Sequence, residues 1–157
     1  MLEKVKLPGA GVTIAADVGG PDDGTPVIML HGIGQTRHSW GKAAARLASS
    51  GYRVTSFDLR GHGESGWSPD SVYGFERFMA DLAAVQALHT RPAFLVGASM
   101  GGLTALLAVG EAEAQAAGLV LVDIAPRMEQ AGANHISSFM RGNADGFASV
   151  EEAVDAV

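Results

Sequence analysis

Hydrophobic residues along this chain gather into short runs, separated by stretches in which they recur every three or four positions. Val27 to Leu30, Tyr52 to Phe57, Ala93 to Val96 and Leu119 to Val122 are the runs. Runs of that length, bounded by turn residues, predict buried strands. Val12 to Val18 reads as a further strand, at a sheet edge. Between the runs, Ser39 to Ala48 has helical character. Phe75, Phe78, Leu82, Val85 and Leu88 fall on one face of a predicted helix, and Gly101 to Val109 continues as an Ala/Leu-rich helix. Strands alternating with helices predict right-handed βαβ units, hence an α/β fold with a mostly parallel sheet covered on both faces.

The last thirty residues read differently. Ile136, Phe139 and Met140 fit one helical face, and Ser149 followed by Glu152 is a capping-box signature opening a helix with Val150, Val154 and Val157 on one side. That helix has no stop signal, so the sequence is expected to end within an element.

Polar residues close the predicted strands: His31, Asp58, Ser99 and Asp123. In parallel α/β sheets ligands bind at those carboxyl ends. The serine stands out. Gly97-Ala98-Ser99-Met100-Gly101 is G-x-S-x-G between a predicted strand and a predicted helix, the context in which a serine hydroxyl is presented on a sharp turn as a nucleophile. The helix that follows aims free N–H groups at the site, so the Met100 N–H is one expected oxyanion donor. The glycine loop His31-Gly32-Ile33-Gly34 is suited to supply the second, from Ile33. The competing reading makes Ser99 a helix N-cap and nothing more.

These stretches, with Asp58-Leu59-Arg60-Gly61-His62-Gly63-Glu64-Ser65 between them, follow the order found in the α/β-hydrolase fold. Over residues 12 to 126 the chain resembles that superfamily, in the subgroup of small-ester hydrolases, enol-lactonases and cofactor-free haloperoxidase or perhydrolase relatives. The resemblance implies acyl transfer to water through Ser99, on a small ester or lactone, without cofactor or metal. It implies that residues 1–126 belong to the core and that 127–157 begin a helical cap. Epoxide hydrolases and haloalkane dehalogenases of this fold carry a carboxylate at the elbow, so the serine sets this chain apart from them.

The family order places the acid and then the histidine after the nucleophile. No residue after the expected cap entry fits either role, so the chain resembles the N-terminal half of such an enzyme, inactive or very weak alone. Asp123 is a candidate acid, with shaping of the cap entry as its alternative. His31 is read as ordering the oxyanion loop, and His62 as bonded to backbone in a turn. His38 and His89 are read as solvated on helices, and His135, in the tail, is the least implausible substitute base. A second chain supplying the missing half, or self-association through an uncovered Leu119 to Val122 edge, is the expected partner.

Composition narrows the field. Of 157 residues 47% are hydrophobic and 18% charged, as in a globular domain. The net charge is −6, which argues against nucleic acid and anionic membranes as partners. With no cysteine there is neither disulfide nor thiolate chemistry. The N-terminus has no signal-like apolar core, so the cytoplasm is the expected location. Gly61-His62-Gly63-Glu64-Ser65-Gly66 spells G-x-G-x-x-G, but the following Trp67-Ser68-Pro69-Asp70 predicts a loop where a dinucleotide site requires a helix.

Overall fold

The computed structural model describes residues 1–112, 114–124, 134, 138, 141, 142 and 146–155. The chain packs as two units, Met1–Ile124 and Ala125–Val157. In the first, six strands form one sheet in the order β1-β2-β4-β3-β5-β6. They are β1 (Leu2–Pro8), β2 (Thr13–Gly19), β3 (Thr25–Leu30), β4 (Tyr52–Phe57), β5 (Ala93–Ala98) and β6 (Ala116–Val122). The first two pairings are antiparallel and the other three parallel, so the expected α/β class and mostly parallel sheet are observed.

The central strand explains the layering. In β3, Ile28 and Leu30 point to one face and Val27 and Met29 to the other, which is why the run is apolar without alternation. On the first face helices α2 (Phe75–Gln86) and α3 (Met100–Gly110) complete a core with Phe57, Phe78, Leu82, Val85 and Leu95. On the second, α1 (Gly41–Ser49) packs Ala44 and Ala48 against Val27, Met29 and Val54. A 3₁₀ turn, Arg37–Trp40, leads into α1.

Several expectations shift. The Val12 to Val18 strand is internal, because β1 pairs outside it. No strand is predicted over β1, because Glu3, Lys4 and Lys6 interrupt its apolar residues, and charged residues are what edge strands carry toward solvent. The helix expected to reach Leu88 ends at Gln86, so His89 is not helical. The strand expected from Leu119 begins at Ala116, where pairing with Ala93 overrides the weak strand propensity of Ala and Gly. The sheet is not covered on both faces throughout: beside β6, Phe94, Val120 and Val122 are 36%, 48% and 42% exposed.

Two buried ion clusters tie the loop after β4 to its surroundings. Arg60 grips Asp81 of α2 through two bonds of 2.7 Å and donates to the Ala10 carbonyl. Arg37, 2% exposed, bridges Asp17, Asp58 and Glu64. Asp58 also accepts the Arg37 and Glu64 N–H groups, so the charge of this buried carboxylate is fully answered.

In the second unit, α4 (Val150–Asp155) carries the expected cap. The Glu152 N–H donates to Ser149 Oγ at 3.1 Å, while the Glu152 carboxylate takes the Ala148 N–H, one residue before the usual capping-box partner. Val150 and Val154 are exposed. Val157 and the Ile136, Phe139 and Met140 face lie outside the described residues. None of the described helices is long and apolar enough to cross a membrane.

Candidate active site

Ser99 occupies the turn between β5 and α3 with φ +46° and ψ −114°. That region is comfortable only for glycine, since an L side chain crowds the backbone. Its surroundings explain how it is held. The Ser99 N–H donates to the Val122 carbonyl at 3.0 Å, and its own carbonyl takes the Leu103 N–H at 2.8 Å. A Cβ at Gly97 would lie 2.5 Å from backbone atoms of Gly101 and Gly102. One at Gly101 would lie 2.5 Å from the Leu30 carbonyl oxygen and 2.6 Å from that of His31. Three backbones therefore meet at distances only glycine permits, and the elbow is the consequence.

The helix-cap reading of Ser99 does not hold. An N-cap residue has extended backbone angles and a side chain bonded to the first turn, whereas Ser99 has neither. Its hydroxyl makes no bond to the helix, and the residue is partly exposed.

The His31–Gly34 loop lies beside it: a Cβ on Gly32 would approach Ser99 Cβ to 3.5 Å. His31 is fully buried and has both ring nitrogens engaged. Nε2 accepts the Leu59 N–H at 3.0 Å, which leaves Nδ1–H to donate to the Gly32 carbonyl at 2.7 Å. Burial holds its pKa below the ordinary histidine value, so the ring stays neutral. The bond has a geometric consequence. Gly32 C=O and Ile33 N–H belong to one trans peptide and point to opposite sides. Pinning the carbonyl on His31 therefore orients the Ile33 N–H, which makes no hydrogen bond among the described residues. Gly34, at φ +71°, lets the loop turn back, and Gln35 braces it by accepting the Gly32 N–H.

The other sequence candidates sort by position. Asp123, at φ +53°, follows β6, and the Ala98–Val122 pairing puts it level with Ser99 one strand over. It is exposed. His62 sits against the His31 ring, centroids 5.1 Å apart, with Nδ1 3.2 Å from the Arg60 carbonyl. His38 is exposed, 3.6 Å from Asp17. His89 lies before β5, at the opposite end of the sheet from Ser99, and is half-buried instead of solvated on a helix. His135 lies outside the described residues. None of the four described histidines makes a bond to Ser99. The Gly61 to Gly66 stretch is a loop with no helix opening from it, so the glycine pattern there does not build a dinucleotide site.

Sequence reasoning missed the arginine hub. Arg37 was given no role from the sequence, and only its distance to Asp58 reveals that it anchors the segment leading from the His31–Gly34 loop into α1.

A strand–elbow–helix with a glycine loop at the carboxyl end of a parallel sheet defines a hydrolase-type scaffold. The sequence profile of the alpha/beta hydrolase fold matches residues 25–155, and the chain belongs to that family. Among curated relatives it is 40% identical to an esterase of Mycobacterium tuberculosis over 101 residues, 64% of this chain and 33% of the esterase. It is 38% identical to a non-heme chloroperoxidase of Streptomyces lividans over 109 residues, 68% of this chain and 39% of that protein. Among solved structures, epoxide hydrolase A of Mycobacterium thermoresistibile superposes with a TM-score of 0.75 at 21% identity, covering 89% of this chain and 45% of that one; a likeness at that identity concerns the fold alone. The chain thus spans between a third and two fifths of the length of these curated relatives.

Proposed function

We infer that Ser99 is the nucleophile of a serine hydrolase acting on a small carboxylic ester or lactone. The observation that carries this reading is the backbone of Ser99, held at φ +46° by three close-packed glycines with its hydroxyl unbonded among the described residues. Strain of this kind persists only where surrounding structure over-determines it. In the reaction Oγ attacks the carbonyl carbon and its proton passes to a histidine. The Ile33 and Met100 N–H groups hold the oxyanion, and the alcohol leaves with that proton. Water then cleaves the acyl-serine by the same route. The described residues hold no histidine poised for this transfer, so the base comes from outside them. Asp123, level with Ser99, is the candidate acid. An elbow serine also favours acyl transfer over epoxide opening, in spite of the shared fold. The esterase relative supports the ester class, and the chloroperoxidase relative keeps a perhydrolase-like use of the same serine in view.

The test is hydrolysis of p-nitrophenyl butyrate by the complete protein and by Ser99→Ala. Loss of turnover together with loss of fluorophosphonate labelling is expected; retained turnover removes Ser99 from the mechanism. Intact-mass measurement of a purified sample tests the source of the base, because a second polypeptide would supply it in trans.

A second, non-catalytic reading rests on β6. It is the outer strand of the sheet, with Val120 and Val122 exposed, and it can add a strand from a partner or a second copy. A monomer at equilibrium, with no second polypeptide, would argue against it.

A further inference from the structure

One concavity of this fold lies away from Ser99. At the amino ends of the parallel strands a concavity of about 570 Å³ opens between β2, β4 and the segment joining α2 to β5. Its size falls within the range of small-molecule pockets. Its lining has a pattern. Val18 and Leu88 form apolar walls, Thr55 and His89 supply polar groups inside, and Arg53 and Arg91 stand beside them.

The polar groups there are underused. Thr55 is 2% exposed, and the contact its hydroxyl makes is with His89 Nε2 at 3.5 Å, a long and weak bond. His89 Nδ1 has no bond among the described residues, and burial together with the Arg53 charge lowers the pKa of the ring; in the tautomer in which Nε2 accepts the Thr55 hydroxyl proton, Nδ1–H is the free donor. Arg53 uses Nη1 on the Gly20 carbonyl and on Asp22, leaving Nε and Nη2 uncommitted. Arg91 uses Nη2 on the Asp23 and Gly24 carbonyls, leaving Nε and Nη1. Two cations with spare donors among the described residues, an imidazole and a buried hydroxyl thus line the same cavity as the apolar Val18 and Leu88. Asp22 and Asp23 also line the cavity; the Asp22 carboxylate, 94% exposed, is held to Arg53 by one contact of 3.2 Å and acts as a weak internal competitor.

We propose that this cavity is a second ligand site, at the opposite end of the sheet from the Ser99 elbow, for a small organic carboxylate with a short apolar chain. The carboxylate lies between Arg53, Arg91 and His89, and the chain lies against Val18 and Leu88. The site stands whether or not Ser99 is a nucleophile.

The experiment is a titration of the 157-residue chain with sodium hexanoate, following the His89 ring signals by NMR, assigned through His89→Gln. Acetate and inorganic phosphate are the comparison ligands. A saturable shift is expected, tighter for hexanoate than for acetate or phosphate. Arg53→Gln should weaken hexanoate roughly tenfold, the scale of one lost charge-assisted hydrogen bond. Asp22→Asn should tighten it roughly two- to fivefold by removing the competitor. Leu88→Ser should erase the preference for hexanoate over acetate. The amide spectra of the variants report whether each remains folded, and the opposite signs expected for Arg53→Gln and Asp22→Asn separate binding from a general loss of structure. No saturable shift, phosphate binding as tightly as hexanoate, or an unchanged affinity in Asp22→Asn would each overturn the proposal.

Discussion

Replacing Ser99 by glycine should make the protein more stable than replacing it by alanine, although both remove the hydroxyl. Alanine keeps the Cβ that crowds the backbone at φ +46° and ψ −114°; glycine does not. Backbone in such a region costs on the order of 1–3 kcal/mol for an L residue. Glycine gives back roughly 0.5–1 kcal/mol through the greater entropy of its unfolded chain. At the middle of both ranges the balance favours Ser99→Gly over Ser99→Ala by about 1 kcal/mol, with no cavity term because the residue is partly exposed. In a domain of this size that is a difference in Tm of roughly 2–4 °C. Equilibrium urea unfolding followed by far-UV circular dichroism measures it, with equal slopes required so that only stability differs. A glycine variant no more stable than the alanine variant would refute stored strain at the elbow, and the nucleophile reading would lose its principal support.

Gly101→Ala places a Cβ 2.5 Å from a backbone oxygen and should cost about 3 kcal/mol, whereas Gly110→Ala in the same helix meets open space and should be neutral or slightly stabilising; urea midpoints compare the two. Asp81→Asn leaves Arg60 buried without its counter-charge and should cost about 3–5 kcal/mol by the same assay, more than the apolar double replacement Arg60→Met with Asp81→Leu. Acid should weaken the fold in two windows. His31 and His89 are held neutral by burial, so their contribution is present above the ordinary histidine range and is lost as the pH falls below about 6.5, where the unfolded chain takes up protons first. The Glu64 carboxyl, held down to about 2 by Lys4 and Arg37, contributes above the usual carboxylate range and loses that contribution as the pH falls toward 2. Stability measured against pH should flatten in the upper window for His31→Gln and in the lower for Glu64→Gln.

Much of the scaffold was legible because its signals are local. The short run Val27 to Leu30 signalled a strand buried on two faces, and the helical spacing of Phe75 to Val85 named the side of α2 that enters the core. Gly97, Ser99 and Gly101 between strand and helix marked the elbow, since few other residues tolerate such close backbones. The polar β1 escaped notice for the converse reason. Its Lys and Glu side chains belong to an edge, and edges are defined by what lies beyond them.

By itself, then, the sequence determined the alternation of strands and helices, the turn that carries Ser99, and the glycine loop beside it, because periodicity and steric tolerance act over a few residues. Tertiary structure alone decided which charges meet and which groups stay free. Arg37 finds Asp58 across 21 positions and Arg60 finds Asp81 across another 21. His31 takes one proton arrangement because Leu59 and Gly32 sit on its two sides, and Arg53, His89 and Arg91 surround a cavity that none of them signals alone. Hydrogen bonds and ion pairs depend on distances of about 3 Å between groups far apart in the chain, and folding sets those distances.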